Sequence, residues 1–412
     1  MKIDVQIDRV MGELADLAAF SAVPAPAVTR IVFSEQDLRA RAWLKRLCTD
    51  AGLSVREDAV GNTLFRWVGT DLKAAAVASG SHIDAIPNAG RFDGTVGVVG
   101  ALEAIRALRA AGFVPRRSIE LILFTSEEPT RFGVGCLGSR LLSGALSTKQ
   151  AEQLLDTDGN TLASVRRTAG FGGNLATVRL RPNQYAGFVE LHIEQGPLLE
   201  REGIPLGIVT HIAAPASLRV DIEGEGGHAG AVLMPERRDA LVAAAELMLA
   251  IEAAALATGS NDTVATTGVC QIFPGAVNSI PSRVQLGVDV RDIELQRRDS
   301  VLGAIETAAK EVRLRRKVSV AIETINADPP AACDPDIVTA LTTASEQQNL
   351  RYRRIVSRAY HDSLFMSRIC PVAMLFIPCR KGISHRPDEY ASEKDIANGI
   401  RVLADTLARL AI

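Results

Sequence analysis

The segment IELILFTSEE, residues 119–128, predicts the fold of the larger part of this chain. Its start is almost entirely apolar, which is typical of a strand buried inside a sheet. Two adjacent acids, Glu127 and Glu128, follow that strand closely. Ligands of open α/β sheets bind beyond the carboxyl ends of the strands. We therefore expect these two acids to lie at a functional site.

A second apolar strand, residues 74–78, leads to the motif Ser81-His82-Ile83-Asp84. The sequence then places Asp93 directly before a predicted helix over residues 94–111. Strands that alternate with helices indicate an α/β fold with a mainly parallel sheet. His82 and the Glu127–Glu128 pair would then meet at one edge of this sheet.

The pattern changes near residue 209, after which strands of alternating polarity begin. We predict a smaller α+β unit with strands over 218–224, 263–273, 283–290 and 318–324 and helices over 237–256 and 298–313. Asp328-Pro329-Pro330 ends this unit, because consecutive prolines interrupt regular structure. The predicted domains are a catalytic domain of residues 1–210 and 328–412 and an inserted domain of residues 211–327.

Composition excludes several classes of partner. The chain has 412 residues and a net charge of −2, which gives no basis for nucleic-acid binding. No apolar run is long enough for a membrane span. An acid at position 4 disfavours a signal peptide, and six cysteines without CxxC spacing indicate reduced thiols. We expect a cytoplasmic protein.

Histidines and carboxylates in short motifs suggest a site for two divalent metal ions, with candidate ligands His82, Asp93, Glu128, His192 and His385. Asp93 suits a bridging carboxylate, since the adjacent Gly94 lets the backbone approach. His82 and His192 would complete one ion, and Glu128 and His385 the other. Such ligands accept zinc, manganese, cobalt or nickel. A single histidine in a loop is more often hydrogen-bonded than bound to a metal ion, so the prediction rests on the five candidate ligands together.

Two further acids have predicted roles beside the ligands. Asp84 shares the face of His82 on an extended segment and could orient its imidazole, or else cap the following turn. Glu127 could be the base that deprotonates the attacking water. Residues 133–138 match GxGxxG, but they do not directly follow a strand, so we expect these glycines to shape the loop beside the metals.

The inserted domain carries three polar residues of interest. Arg291 and Asn278 suit a substrate carboxylate, and His228 could stabilise the oxyanion of a tetrahedral intermediate. An ion pair of Arg291 with Asp289 or Asp292 is an equally good interpretation of the pattern. His211 has no surrounding motif, and we expect it to be structural.

Together these residues resemble the hydantoinase/carbamoylase branch of the dimetal M20 amidohydrolases. The resemblance rests on His82-x-Asp84, Asp93-Gly94, Glu127-Glu128, His192-x-x-Gln195-Gly196 and Ser384-His385. It implies the metal roles given above, with Gln195 joining His228, Asn278 and Arg291 in substrate binding. It also implies a lid domain that forms a homodimer and supplies His228 to the neighbouring subunit.

Two segments depart from the usual pattern of that branch. Residues 228–235 read HAGAVLMP, where HAGTTPM is usual, and residues 357–362 read SRAYHD, where SGAGHD is usual. Both variants are similar to the ureidoglycolate amidohydrolases, which implies hydrolysis of ureidoglycolate to glyoxylate, ammonia and carbon dioxide, with manganese, in purine (allantoin) breakdown. We hypothesise that Tyr360 and His361 recognise this short hydroxylated substrate, whereas the role of Arg358 stays open.

Other functions remain as alternatives. An N-carbamoyl-L-amino-acid hydrolase or an allantoate amidohydrolase would keep the metal site and change only the pocket. A binding protein without catalysis would have no use for Glu127. An aminopeptidase is possible by fold, but Gln195, Asn278 and Arg291 disfavour it.

Overall fold

The computed structural model describes residues 3–412 of the chain. Contacts divide it into two compact units, a larger one of residues 3–210, 333–357 and 361–412 and a smaller one of residues 211–332 and 358–360. The smaller unit thus extends to residue 332, beyond the predicted boundary at 327, and also takes up the short segment 358–360.

The regular elements follow one another in chain order. The helices are α1 Ile7–Ala19, α2 Glu35–Asp50, α3 Thr95–Ala110, α4 Leu137–Ser143, α5 Thr148–Gln153, α6 Leu162–Thr168, α7 Leu198–Glu202, α8 Ala240–Leu256, α9 Leu295–Arg316, α10 Pro335–Gln347, α11 Asp362–Met366 and α12 Glu393–Leu410. The strands are β1 Val28–Arg30, β2 Ser54–Glu57, β3 Thr63–Trp67, β4 Ala76–Ser81, β5 Ala85–Ala89, β6 Ile119–Leu123, β7 Tyr185–Ile193, β8 Leu206–Ile212, β9 Ala214–Glu223, β10 Gly227–His228, β11 Val264–Phe273, β12 Ser279–Ile280, β13 Arg283–Asp292, β14 Ser319–Ala327, β15 Ala331–Ala332, β16 Tyr352–Ser357 and β17 Val372–Ile377.

The main sheet is mixed rather than mainly parallel. Its strands run in the order β15-β8-β17-β7-β4-β6-β3-β2, and β16 pairs with β8. The central strands β17, β7, β4 and β6 are parallel to their neighbours within this group. The pairs β17–β8, β8–β15, β6–β3 and β3–β2 are antiparallel. The sequence identified the α/β class, but the direction of the flanking strands depends on non-local pairing.

Glycines let the helices α3 and α12 approach the centre of the sheet closely. A Cβ atom on Gly97 of α3 would lie 2.4 Å from the carbonyl oxygen of Leu191 in β7. A Cβ atom on Gly399 of α12 would lie 2.8 Å from the Leu191 side chain. This tight packing holds the first turn of α3, which follows Asp93, against the strand that carries His192.

The smaller unit has the predicted four strands and two helices. Its sheet runs in the order β11-β13-β9-β14, with antiparallel neighbours throughout. The helices α8 and α9 share a hydrophobic core with the sheet, in which α8 contributes Ala240, Ala244 and Leu247. The short strands β10 and β12 pair separately, with His228 opposite Ser279.

The cysteines and the helix lengths bear on the expected reduced thiols and on membrane spans. All six cysteines are free thiols, and five are buried, but Cys270 is exposed on β11. Within residues 3–412, no helix has both the length and the apolar character that a membrane span requires.

Candidate active site

The ends of three parallel strands deliver the predicted ligands of the larger unit to one place. His82 follows β4, the Glu127–Glu128 pair follows β6, and His192 lies near the end of β7. Because β6, β4 and β7 are adjacent and parallel, their carboxyl ends meet at one edge of the sheet. His385 comes from the loop between β17 and α12.

Asp93 lies between two pairs of side chains, one pair facing each of its carboxylate oxygens. Oδ1 is 3.5 Å from His82 Nε2 and 3.3 Å from His192 Nε2. Oδ2 is 3.5 Å from His385 Nε2, which is itself 3.1 Å from Glu128 Oε1. The carboxylate therefore faces the predicted ligand pairs on two separate sides.

These distances fit two metal ions that share Asp93. Ligand atoms about 2.1 Å from a tetrahedral ion lie roughly 3.4 Å from one another, which matches the 3.3–3.5 Å separations around Asp93. Two groups of potential ligand atoms that include Asp93 lie close together, His82–Asp93–His192 and Asp93–Glu128–His385. Neutral imidazole and carboxylate are ligands for zinc-like and manganese-like ions.

Gly94 allows the Asp93 backbone to turn tightly beneath His82. Gly94 has a φ of 65° and a ψ of −45°, and Thr95 N donates a 2.6 Å hydrogen bond to Asp93 O across it. Residues 93–95 therefore form a γ-turn, which is a strained conformation. A Cβ atom at Gly94 would lie 2.4 Å from His82 Nε2. Only glycine can occupy this position without moving the imidazole ring.

The imidazole rings are oriented mainly by backbone carbonyl groups. His82 Nδ1 is 3.0 Å from the Asp84 carbonyl oxygen, and His192 Nδ1 is 2.9 Å from the Ile193 carbonyl oxygen. Donation from Nδ1 to these oxygens leaves a lone pair on each Nε2 that can bind a metal ion, an arrangement common among metal-binding histidines. His192 Nε2 also lies 3.1 Å from the Gly94 backbone N.

The Asp84 carboxylate has a different task from either of those we predicted. It accepts hydrogen bonds from Glu127 N at 3.2 Å and Glu128 N at 3.0 Å, and its Oδ1 is 3.7 Å from His82 Nδ1. Asp84 thus fixes the loop that carries the two acids, and its closest contact with the His82 ring is made by its backbone.

Charge is concentrated around Glu127. Burial raises the pKa of the Glu127 carboxyl well above its usual range, and the nearby Glu128 adds to this effect, although His82 opposes it. Burial also acts to raise the pKa of Asp93, but His192 and His82 hold it well below its usual range. Two neighbouring carboxylates with opposite shifts suit a base and a ligand.

His361 packs directly against the candidate ligand His192. The ring centroids are 4.6 Å apart, and His361 Nε2 is buried without a hydrogen-bond partner in the described structure. Burial, with the repulsion of His192, lowers the pKa of His361 well below its usual range, which favours the neutral ring. Glu190, His192 and His361 form a third group of potential ligand atoms, which the sequence did not suggest.

Hydrogen-bond donors also surround Asp93 Oδ2. Gln195 Nε2 donates to this oxygen at 2.6 Å, and the Ser384 hydroxyl donates to it as well. Gln195 and His385 have φ values of 54° and 58°, the left-handed region that side chains other than glycine rarely adopt. Such strain is found where the surrounding structure enforces a functional geometry.

Sequence reasoning missed one residue of this site, Glu389. Its carboxylate accepts hydrogen bonds from Phe92 N and Asp93 N. The only available signal was an acid four residues after His385 in the SHRPDE segment, and a lone acid at that spacing has no specific meaning.

The glycine-rich loop at residues 133–138 packs against the segment that carries the acids. Cys136 N donates to the Glu127 carbonyl oxygen at 2.7 Å, and Gly138 N donates to the Thr125 carbonyl oxygen at 2.8 Å. A Cβ atom on Gly138 would lie 2.1 Å from Asn62 Oδ1. The glycines thus serve close packing beside Glu127.

The smaller unit brings together two of its three predicted substrate residues. His228 is exposed on β10. The backbone N of the following residue, Ala229, donates a hydrogen bond to the Asn278 carbonyl oxygen at 2.9 Å. His228 Nδ1 accepts from Gly230 N at 3.1 Å, so its proton lies on Nε2 when the ring is neutral. His211 pairs with Ala332 in the β8–β15 ladder.

Arg291 makes the ion pair that was the alternative interpretation of its position. Its Nε is 2.7 Å from Asp289 Oδ1, and its Nη1 donates to the Arg358 carbonyl oxygen at 2.8 Å. The Tyr360 hydroxyl donates to Asp328 at 3.0 Å, and Arg358 pairs with Asp262 at 2.6 Å. These contacts hold the 358–360 segment to the smaller unit.

Comparison with known proteins agrees with this geometry. Residues 78–409 match the model of peptidase family M20/M25/M40. The chain is 52% identical to a ureidoglycolate hydrolase of Oryza sativa subsp. japonica, over 99% of this chain and 85% of that protein. It superposes on the crystal structure of AtUAH in complex with glyoxylate with a TM-score of 0.89 and 50% identity, covering 99% of this chain and 98% of that one.

A hydantoinase/carbamoylase family amidase from Burkholderia multivorans gives a TM-score of 0.90 at 33% identity, covering 99% of this chain and 98% of that one. Both the sequence match and the structural match span nearly the whole chain, including the strand ends that carry the candidate ligands. The protein therefore belongs to peptidase family M20/M25/M40, and within it to the hydantoinase/carbamoylase amidases.

Proposed function

We propose that this protein is a metal-dependent amidohydrolase that hydrolyses the ureido group of ureidoglycolate. One ureidoglycolate and one water give glyoxylate, carbon dioxide and two molecules of ammonia, a step of purine (allantoin) breakdown. The observation that carries the hydrolase assignment is the placement of Asp93 between two ligand pairs with Glu127 alongside. The 52% identity to a ureidoglycolate hydrolase supports the substrate.

We propose His82, Asp93, Glu128, His192 and His385 as the ligands of two divalent ions, manganese in the cell. Bound there, the ions would polarise the ureido carbonyl and make the attacking water more acidic. Glu127 would accept the proton of that water, and its Oε2 lies 3.8 Å from His82 Nε2, beside the ligands. The same carboxyl group would return the proton to the leaving nitrogen as the C–N bond breaks.

The substrate carboxylate requires fixed donors. We propose Gln195, Asn278, Arg291, Tyr360 and His361 for substrate binding, and His228 for the developing oxyanion. Arg291 carries a planar guanidinium, a group that suits a carboxylate. In the structure its Nε and Nη2 face Asp289 and its Nη1 donates to the Arg358 carbonyl oxygen, so a substrate carboxylate would exchange with one of these contacts. The proton on His228 Nε2, inferred from the contact of Nδ1 with Gly230 N, suits donation to an oxyanion.

We further propose a homodimer formed by the smaller unit, the lid domain of residues 211–327, with His228 acting in the neighbouring subunit. β11 is an edge strand on which Val269, Ile272 and Phe273 are exposed. On α8, Val242, Leu249 and Leu256 recur every seven residues and are 40%, 67% and 75% exposed. Exposed apolar edges and stripes of this kind favour association with a second chain, which light scattering would test.

The six free thiols agree with a reducing compartment, and we propose the cytoplasm. The activity is tested by ammonia release from metal-free protein reloaded with manganese, using ureidoglycolate, allantoate and a panel of N-carbamoyl-L-amino acids. We expect ureidoglycolate to have the highest kcat/KM. Preference for allantoate or a carbamoyl amino acid would retain the dimetal hydrolase and reject the substrate.

A variant separates chemistry from metal binding in the same assay. Glu127→Gln keeps the size of the side chain but cannot accept the proton, so kcat should fall about 10²–10⁴-fold. Metal content, measured by plasma mass spectrometry, should stay at two ions per chain. Full activity of this variant would reject Glu127 as the base.

A further inference from the structure

Glu389 is a buried carboxylate on the side of Asp93 away from the histidine pair His82–His192. Its Oε1 accepts hydrogen bonds from Phe92 N at 2.7 Å and from Asp93 N at 3.0 Å. Its Oε2 lies 3.0 Å from Ser384 Oγ, and the Ser384 hydroxyl donates to Asp93 Oδ2. Glu389 is thus linked to both the backbone and the side chain of Asp93.

The Glu389 side chain is closely packed. Glu389 is 5% exposed, and a Cβ atom on Gly90 would lie 2.3 Å from its Cβ and 2.4 Å from its Oε1. Phe92 and Tyr390 stack edge to face, with centroids 6.0 Å apart. The 90–93 segment is therefore docked against the 384–390 segment, although nearly 300 residues separate them in the chain.

We propose that Glu389, acting through Ser384, is a positioning residue that sets the orientation of Asp93 between the two ligand pairs. This inference rests on the proposed dimetal function. A bridging carboxylate must direct one oxygen to each ion, which requires a defined side-chain torsion. The hydrogen bonds that Phe92 N and Asp93 N donate to the Glu389 carboxylate fix the backbone of Asp93. The Ser384 hydroxyl fixes the position of Asp93 Oδ2.

The same two residues also place the second ligand loop. Ser384 directly precedes His385, whose Nε2 is 3.5 Å from Asp93 Oδ2. The Glu389–Ser384 contact therefore ties the bridge and His385 to one common support. Partners of ligating carboxylates commonly tune metal affinity in this way.

The test measures metal binding rather than turnover. Each purified full-length variant is loaded with manganese and titrated with a chelator, and bound ions are counted by plasma mass spectrometry; the melting temperature of the metal-free form is also recorded. Glu389→Ala should bind the ions about 10–100-fold more weakly, and Ser384→Ala should lie between it and wild type.

Glu389→Gln should recover most of the affinity. Its amide oxygen can accept both backbone N–H groups, while its amide nitrogen donates to Ser384 Oγ and leaves the hydroxyl proton for Asp93. A purely structural role would not give this rescue in metal affinity together with a loss in Ser384→Ala.

Asp58→Ala is the matched control. Asp58 also accepts two backbone N–H groups, those of Val60 and Asn62, and one side-chain donor, Asn62 Nδ2. It lies in the β2–β3 loop and is linked to the segment of the two acids through Asn62, whose Oδ1 accepts from Thr125 N, rather than by a bond to a proposed ligand. It should lower the melting temperature of the metal-free protein without weakening metal binding.

The outcomes separate the two proposals. Wild-type affinity in both Glu389→Ala and Ser384→Ala would overturn the positioning role, as would an equal loss of affinity in Asp58→Ala. If Glu389→Ala does not fold, Ser384→Ala and Glu389→Gln still decide between these results. Wild-type protein that binds no metal would instead overturn the proposed function itself.

Discussion

Replacement of Gly94 by alanine should remove one metal ion and spare the other. The new Cβ atom would lie 2.4 Å from Nε2 of His82 and 2.5 Å from Cδ2 and Cε1 of the same ring. Contacts this short force the ring away from its position, so the His82–His192 pair can no longer hold an ion. The Glu128–His385 pair faces the other oxygen of Asp93, and neither residue supplies any of the three atoms nearest to that Cβ.

Two costs make up the expected effect. A side chain at a φ of 65° costs roughly 1–2 kcal/mol of folding stability, because the left-handed region is unfavourable for L-residues. Displacement of a ligand adds a loss of at least about 10–100-fold in metal affinity and activity. The variant should therefore fold with a lower melting temperature and bind one ion per chain instead of two.

Gly112→Ala measures the cost of a side chain at positive φ without displacement of a ligand. Gly112 also has a positive φ, 75°, but no atom lies within 4 Å of a Cβ built there. We expect this variant to lose stability and keep both ions and full kcat. Metal counting by plasma mass spectrometry, with melting temperatures and ammonia release, compares the two variants. Two ions and wild-type kcat in Gly94→Ala would refute the reasoning.

Three further predictions concern the smaller unit and a distant loop. Arg291→Ala should raise KM about 10–100-fold with little change in kcat, because a charged hydrogen bond contributes about 1.5–3 kcal/mol; unchanged steady-state kinetics would leave only the ion pair with Asp289. Tyr360→Gly should lose turnover of ureidoglycolate, and retained kinetics would reject its role in recognition. Burial raises the pKa of Asp58 to about 6. The protonated Asp58 side chain therefore stabilises the folded protein fully below the pKa of Asp58 in the unfolded chain, and this stabilisation is lost as the pH rises to about 6. Asp58→Asn should therefore gain melting temperature relative to wild type as the pH rises from about 4 to about 6 (calorimetry), and parallel pH curves would contradict this.

The strand patterns were sufficient for the α/β class, since apolar runs of strand length, such as Ile119–Leu123, alternate with longer helical segments. They could not show that β3 runs antiparallel to β6, with Thr63 opposite Leu123. Strand direction is set by pairing between distant segments, and no local periodicity encodes it. The predicted mainly parallel sheet was wrong at its flanks for this reason.

The candidate site was likewise predicted from the sequence only in part. Motifs such as His82-x-Asp84 and Glu127-Glu128 mark ligand candidates, because adjacent polar groups after an apolar strand are unusual in a core. The carboxylate of Asp84, however, proved to bind the Glu127 and Glu128 amides. Which of several possible hydrogen bonds a side chain makes depends on the loop packed beside it.

By itself the sequence determined the kinds of residue available for chemistry, the strands and helices that carry them, and the inserted second unit. These features follow from local composition and periodicity. Only the tertiary structure decided that Asp93 faces one ligand pair with each oxygen, and that Glu389 supports it from far along the chain. Such contacts arise from the order of strands in the sheet and from close packing, which bring together residues that no short motif connects.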